Sequence, residues 1–120
     1  MGHGVRATPA ARIDEQTAAA VATTMQALAT PSRLRILGRL RHSPAAVGEL
    51  AADIGMEQSA VSHQLRMLRH LGLVTGHRNG RTVTYALFDT HVAMLLDEAV
   101  YHAEHLHLDI RDRPESTAVS

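Results

Sequence analysis

Asp89, His91, His102 and His105 are all metal-ligand types, and they fall within the last third of a 120-residue chain, on a stretch that reads as helix. At about 100° per residue, the eleven-residue step from His91 to His102 returns to within roughly 20° of the same face, and His105 follows one turn later. At about 1.5 Å per residue, however, His91 and His102 stand roughly 16 Å apart along the axis, far more than the ~4 Å between two ligand nitrogens on one ion. One helix cannot close this site. Two copies packed antiparallel about a two-fold axis near Leu96 and Asp97 would set His91 of one chain against His102 of the other, and Asp89 against His105. The spacing predicts a symmetric homodimer with two metal sites across its interface.

Asp89 carries a further condition, because at strict helical geometry it points about 200° away from His91. It must sit at the cap. The run Leu87-Phe88-Asp89-Thr90-His91 allows this: Asp is a good N-cap and the residues before it read as strand, so the carboxylate can turn back beside His91. The plainer alternative makes Asp89 a cap alone and the histidines a solvated polar face. Leu95, Ala99 and Leu106 share the His91 stripe and are expected to bury apolar surface between the two chains.

Composition bounds what surrounds this constellation. A chain of this length with 45% hydrophobic residues suits one domain, expected at 14–108, between a flexible tail at 1–13 and a disordered one at 109–120. Cysteine is absent, which excludes disulfides, thiolate nucleophiles and sulfur metal sites, so any metal must take nitrogen and oxygen donors. With no apolar run near the ~20 residues of a membrane span and no signal-peptide core, the expected location is the cytoplasm and no membrane partner is expected. The net charge of zero hides a division. Arg33 to Arg81 carries +5, and Thr82 onward carries −5. The basic part suits an anionic polymer and the acidic, His-rich part suits a cation.

The chain before residue 89 supplies a scaffold for both. An Ala-rich helix from Asp14 to Leu28 has Ala18, Val21, Ala22, Met25 and Leu28 on one side. Thr30-Pro31 caps a second, to Arg41, with Leu34, Leu37 and Leu40 inward. A short helix at about Val47–Ile54 stops at Gly55, a left-handed C-cap, and a longer one follows from about Gln58 to His70. Val61, Leu65 and Leu68 face the short helix; Gln58, Ser59, Ser62, His63, Gln64 and Arg66 point outward, where short polar groups can reach base edges and arginine can reach phosphates. An ordinary solvated face would look the same on polarity alone. The next segment decides: Leu73–Arg78 and Arg81–Leu87 flank Asn79-Gly80, a hairpin with a type I′ turn signal, and Arg78 and Arg81 bracket its tip. The expected fold is therefore mainly α with a β-hairpin wing, a winged helix-turn-helix that binds double-stranded DNA and, as a dimer, an inverted repeat.

Over about residues 16–108 the chain resembles the ArsR/SmtB family of metal-responsive winged-helix repressors. Three stretches carry the resemblance: Ala29-Thr30-Pro31-Ser32-Arg33-Leu34-Arg35-Ile36-Leu37, Gln58-Ser59-Ala60-Val61-Ser62-His63-Gln64-Leu65, and the wing followed by Asp89-Thr90-His91. The resemblance implies a dimer through the first and last helices, DNA reading by Gln58–His70, and release of the operator on metal binding. It also implies that Asp89 and His91 of one chain join His102 and His105 of the other. One subgroup places cysteines on the helix matching Val47–Ile54; none stands there in this chain. The end Tyr101-His102-Ala103-Glu104-His105-Leu106-His107 and the start Met1-Gly2-His3-Gly4 are similar to the family's nickel/cobalt sensors.

Zinc sensors of the family carry the same quartet, so supplementary donors must decide the metal. Nickel(II) and cobalt(II) accept six nitrogen and oxygen ligands where zinc takes four. The Gly2 amine, freed by removal of Met1, and His3 can supply them from the tail. His107 lies roughly 140° around the helix from His102 and joins only if the helix end frays. Nickel or cobalt is expected, with zinc as the alternative. His42, His70 and His77 read as surface or packing residues. The rival readings are a nickel or zinc storage or delivery protein with no sequence-specific DNA binding, and a winged-helix repressor whose signal lies elsewhere. No nucleophile is placed with a base and no phosphate-cradling loop occurs, so an enzyme is not expected.

Overall fold

The computed structural model describes residues 10–112, with side chains to residue 106. Gly2 and His3, the side chain of His107 and the segment 113–120 lie outside the described residues. Five helices and three short strands follow in the order α1 Glu15–Ala27, α2 Pro31–His42, β1 Ala45–Ala46, α3 Val47–Ile54, α4 Gln58–His70, β2 Val74–Asn79, β3 Thr82–Leu87 and α5 Thr90–Asp112.

Local chemistry sets most of these boundaries. Asp14 caps α1 by accepting the Thr17 amide at 2.8 Å, and Thr30 caps α2 by accepting that of Arg33 at 3.4 Å, with Pro31 in the first turn where its missing N–H costs nothing. Gly55, at φ 68°, ends α3 in the left-handed conformation, and Met56 then donates to the Ala51 carbonyl. Glu49 reaches back to the Ala46 amide at 3.2 Å and steadies the other end of α3. Helix α5 runs to Asp112, four residues past the domain boundary expected from the sequence. Nothing between His105 and Asp112 breaks a helix, and the first proline is Pro114.

The core forms where α2, α3, α4 and the sheet meet, with Ile36, Leu37, Leu50, Val61, Leu65 and Leu68 fully buried. On α2 the inward side is Ile36, Leu37 and Leu40. Leu34, expected inward, is 42% exposed, because the buried side is set by Ile36 and Leu37 together. Helix α1 buries only Ala27 and leaves Val21 and Met25 exposed, so its apolar side has no partner within the described chain.

The sheet is antiparallel in the order β1-β3-β2. Strand β1 is a two-residue addition that pairs Ala45 with Tyr85 and Ala46 with Thr84; two alanines after a proline carry no strand signal. The hairpin turn lies one residue later than its sequence indicated. Asn79 pairs with Thr82, so Gly80 and Arg81 form the loop, and only Gly80 (φ 63°) has positive φ. That pattern belongs to a type II′ turn rather than I′, which would need positive φ at both loop residues. Arg81 therefore stands at the wing tip itself.

Candidate metal centre and DNA-reading surface

Helix α5 begins where β3 ends, and Asp89 lies at the junction. Its Oδ1 accepts the Val92 amide at 3.1 Å, an N-cap bond, and its Oδ2 lies 3.4 Å from Nδ1 of His91. The cap's turned backbone brings together two side chains that a continuous helix would hold on opposite faces. The Val92 amide first, and then His91, hold the Asp89 carboxyl below the ordinary carboxylate range, so it is anionic at neutral pH. The pair is open to solvent, with 85% of the His91 side chain exposed.

His102 and His105 lie about three and four turns further along and are also exposed; the Tyr101 ring stands 5.9 Å from that of His105, tilted by 36°. Among the described residues of one chain, no three His, Asp or Glu side chains converge on a point that could hold an ion. Val92 and Leu96 dock α5 on the core, and both lie about 100–140° around the helix from His91. Arg41 of α2 adds a two-pronged ion pair with Asp97, at 2.9 and 2.8 Å. The histidine stripe consequently faces away from its own domain. Exposed apolar side chains accompany it: Met94 and Leu106 on α5, and Val21 and Met25 on α1. An open groove of about 620 Å³ runs between α2 and α5, walled by Leu34, Leu96, Val100 and Tyr101.

The other face of the molecule carries α4 and the wing. Gln58, Ser59, His63 and Arg66 are exposed, and Ser62 is half-buried beside them. Gln64 is not a free outward group: it is half-buried on the flank of α4, and its Oε1 accepts from Nε of Arg33 at 2.9 Å. Arg78 and Arg81 are exposed on the wing, where Arg78 reaches the Gly80 carbonyl at 3.5 Å.

The basic middle of the chain divides in two. Arg33, Arg35, Arg39 and Arg41, all on α2, bond to other elements of the same domain: Gln64, the Ile54 carbonyl, Asp53 and Asp97. Arg66, Arg69, Arg78 and Arg81 are the exposed arginines of α4 and the wing. These structural roles of the α2 arginines were invisible in the sequence, because the four partners just named stand between 14 and 56 residues away. The contact of Tyr101 with His105 has a local signal in the sequence, a four-residue separation of about one helical turn.

Comparison with known proteins agrees with the fold. Residues 30–75 match the family described as bacterial regulatory protein, arsR family. The HTH-type transcriptional regulator NmtR of Mycobacterium tuberculosis is 65% identical over 118 residues, covering 97% of this chain and 98% of that protein. The transcriptional repressor SmtB homolog of Synechocystis is 45% identical over 84 residues, covering 70% of this chain and 64% of that protein. The solution structure of apo-NmtR superposes with a TM-score of 0.71 at 67% identity, over 86% of this chain and 87% of that one. A homodimeric winged helix-turn-helix DNA-binding domain from Mycobacterium bovis gives 0.70 at 34% identity, over 82% and 94%. The chain belongs to the arsR family of bacterial regulatory proteins, as a winged helix-turn-helix transcriptional repressor of the metal-sensing SmtB/NmtR kind and not an enzyme.

Proposed function

We propose that the chain acts in the cytoplasm as a homodimeric repressor that holds an inverted-repeat operator when metal-free and lets it go when nickel(II) or cobalt(II) binds. The observation that carries this reading is the Asp89–His91 pair, preset at the cap of α5 on a stripe turned away from its own domain. The donor set fits a borderline divalent ion: one ionised carboxylate, imidazoles and no sulfur. Asp89 and His91 of one subunit, with His102 and His105 of the partner, would form each of two equivalent sites. The Gly2 amine and His3, with His107 as the other candidate if the helix end frays, are the proposed sources of the two additional donors that favour six-coordinate nickel or cobalt over zinc. The apolar side chains of α1 and α5 support assembly through these helices, in keeping with the homodimeric relative.

In the metal-free dimer α4 and its symmetry mate present Gln58, Ser59, Ser62 and His63 to successive major grooves, while Arg66, Arg78 and Arg81 engage phosphates. A bound divalent ion supplies a positive charge and fixed bond directions that tie residue 89 of one subunit to residues 102 and 105 of the other. Asp89 and His91 then hold the two α5 helices in one relative position, which differs from that of the DNA-bound dimer. The coupling is reciprocal: operator DNA weakens metal binding by the factor through which metal weakens DNA binding, typically about 5- to 150-fold.

Two measurements on one sample test this. Nickel(II) is titrated into the protein bound to a fluorescent duplex selected by the apo protein from a random pool, and the cobalt(II) absorption spectrum is recorded. Release at stoichiometric metal with weak, six-coordinate bands is the expected result. Intense four-coordinate bands would favour zinc, and metal binding without any selected duplex would turn the reading to storage or delivery.

A further inference from the structure

We infer that Arg33 is the positioning residue through which a shift of the dimerisation helices reaches the DNA-reading helix. One guanidinium joins three helices. Its Nε donates to Oε1 of Gln64 at 2.9 Å and a terminal nitrogen approaches Sδ of Met67 at 3.8 Å, both on α4; the other terminal nitrogen donates to the Ala27 carbonyl at 3.3 Å, at the end of α1. Arg33 itself lies in the first turn of α2, its backbone amide held by the Thr30 cap.

The placement matters because α1 has almost no other hold on its own domain. Ala27 is its single buried residue, so the Arg33–Ala27 bond stands at the point where the helix joins the body. Gln64 and Met67 occupy the flank of α4 next to the row of exposed Ser59, His63 and Arg66 and half-buried Ser62. A displacement of the end of α1 thus draws on the same planar group that bonds the flank of α4. Arginine suits this task where lysine does not: the guanidinium has five donors in a rigid fork and serves three acceptors in different directions, whereas an ammonium is a compact point charge on a flexible stem. The far end of α2 is tied to α5 by Arg41 and Asp97, which makes α2 a strut between the helix that carries the candidate ligands and the helix that reads DNA.

This inference rests on the proposed function, and the test separates the two. Arg33→Lys and Gln64→Met, which break the link from opposite sides, are compared with the unmodified protein and with the double variant. Each is measured for dimer mass, nickel(II) affinity without DNA, and affinity for the selected duplex with and without nickel. In Arg33→Lys, dimer mass and DNA-free nickel affinity should stay unchanged while the nickel-dependent ratio of duplex affinities falls at least about fivefold, the lower end of typical coupling factors. The double variant should lose no more of that ratio than either single one. A ratio kept within twofold in Arg33→Lys, or fully additive losses, overturns the role of Arg33. Absence of nickel-dependent release in the unmodified protein would instead overturn the proposed function.

Discussion

Asp89 touches two groups with its two oxygens: Oδ1 takes the Val92 amide at 3.1 Å and Oδ2 lies 3.4 Å from Nδ1 of His91. The cap bond aims the second oxygen, so helix initiation and the placement of a proposed ligand are one piece of geometry. Two substitutions separate them. Asparagine caps about as well as aspartate but brings no charge, while alanine does neither. Asp89→Asn should keep the melting temperature and the dimer yet weaken nickel binding, and Asp89→Ala should lower both. Loss of an outer-shell partner alone typically costs about 10- to 100-fold in metal affinity, so loss of a direct carboxylate ligand should reach the upper end of that range. Wild-type nickel affinity in Asp89→Asn would make the residue a cap and nothing more.

How far the sequence could be read depends on whether a signal was local. Thr30-Pro31, Gly55 and Asp89 announce helix ends because caps and left-handed turns are set by residues a few positions apart. The pairing of Ala45 with Tyr85 is not local, and neither is the contact of Arg33 with Gln64; both depend on how α2, α4 and the hairpin pack. The same limit misassigned Leu34: periodicity proposes an apolar stripe, but its width and direction are settled by what packs against it. The division of α5 into a docked side with Val92 and Leu96 and a free side with His91 follows its period closely.

Because each proposed site draws on both chains, damaged subunits should repair one another. Homodimers of His91→Ala and of His102→Ala should each bind metal poorly. After subunit exchange, a mixed dimer holds one site with all four ligands and one site lacking two. Calorimetric titration of the mixture should recover nickel binding at one ion per mixed dimer. Verified exchange with no recovery would contradict the intersubunit arrangement.

The separation of structural from exposed arginines gives the DNA surface a definite charge pattern. Arg81→Ala, at the wing tip, should weaken binding to all duplexes and reduce the salt slope of binding by about two, one for each subunit of the dimer. Ser62→Ala should weaken the selected duplex more than a scrambled one and leave the slope alone. Nickel affinity in the absence of DNA should not change in either. Equal effects of the two variants on both duplexes would mean that α4 does not read sequence.

The Arg41–Asp97 pair predicts how acid acts on the docking of α5. The hydrogen bonds from Arg41 hold the Asp97 carboxyl below its ordinary value. A carboxyl with a depressed pKa in the folded state stabilises the fold above the unfolded value, near pH 4, and that contribution disappears as pH falls through the lower folded value. Asp14 and Asp89 are shifted the same way, each chiefly by a backbone amide, so the protein as a whole should lose stability over this range. Asp97→Asn should melt lower than wild type at pH 7, approach it as the pH is lowered, and show a shallower acid slope. Both side chains are about half exposed, so 1 M salt should narrow the difference at pH 7. Parallel acid slopes for the two proteins would remove Asp97 from this role.

The amino-terminal donors bear on selectivity between metals. If Asp89, His91, His102 and His105 complete a tetrahedral set, zinc has no further need, whereas nickel gains from two more nitrogens. Replacing His3 by alanine and blocking the Gly2 amine by acetylation should therefore cut nickel-dependent release of DNA and leave zinc affinity nearly unchanged. The cobalt(II) spectrum should shift in the same variants from weak six-coordinate bands towards intense four-coordinate ones, because removal of two donors leaves the quartet behind. Equal losses for nickel and zinc would place the tail among the general determinants of the site. A spectrum that does not move would remove Gly2 and His3 from the coordination sphere and leave His107 as the remaining candidate, to be tested next by His107→Ala in the same two assays.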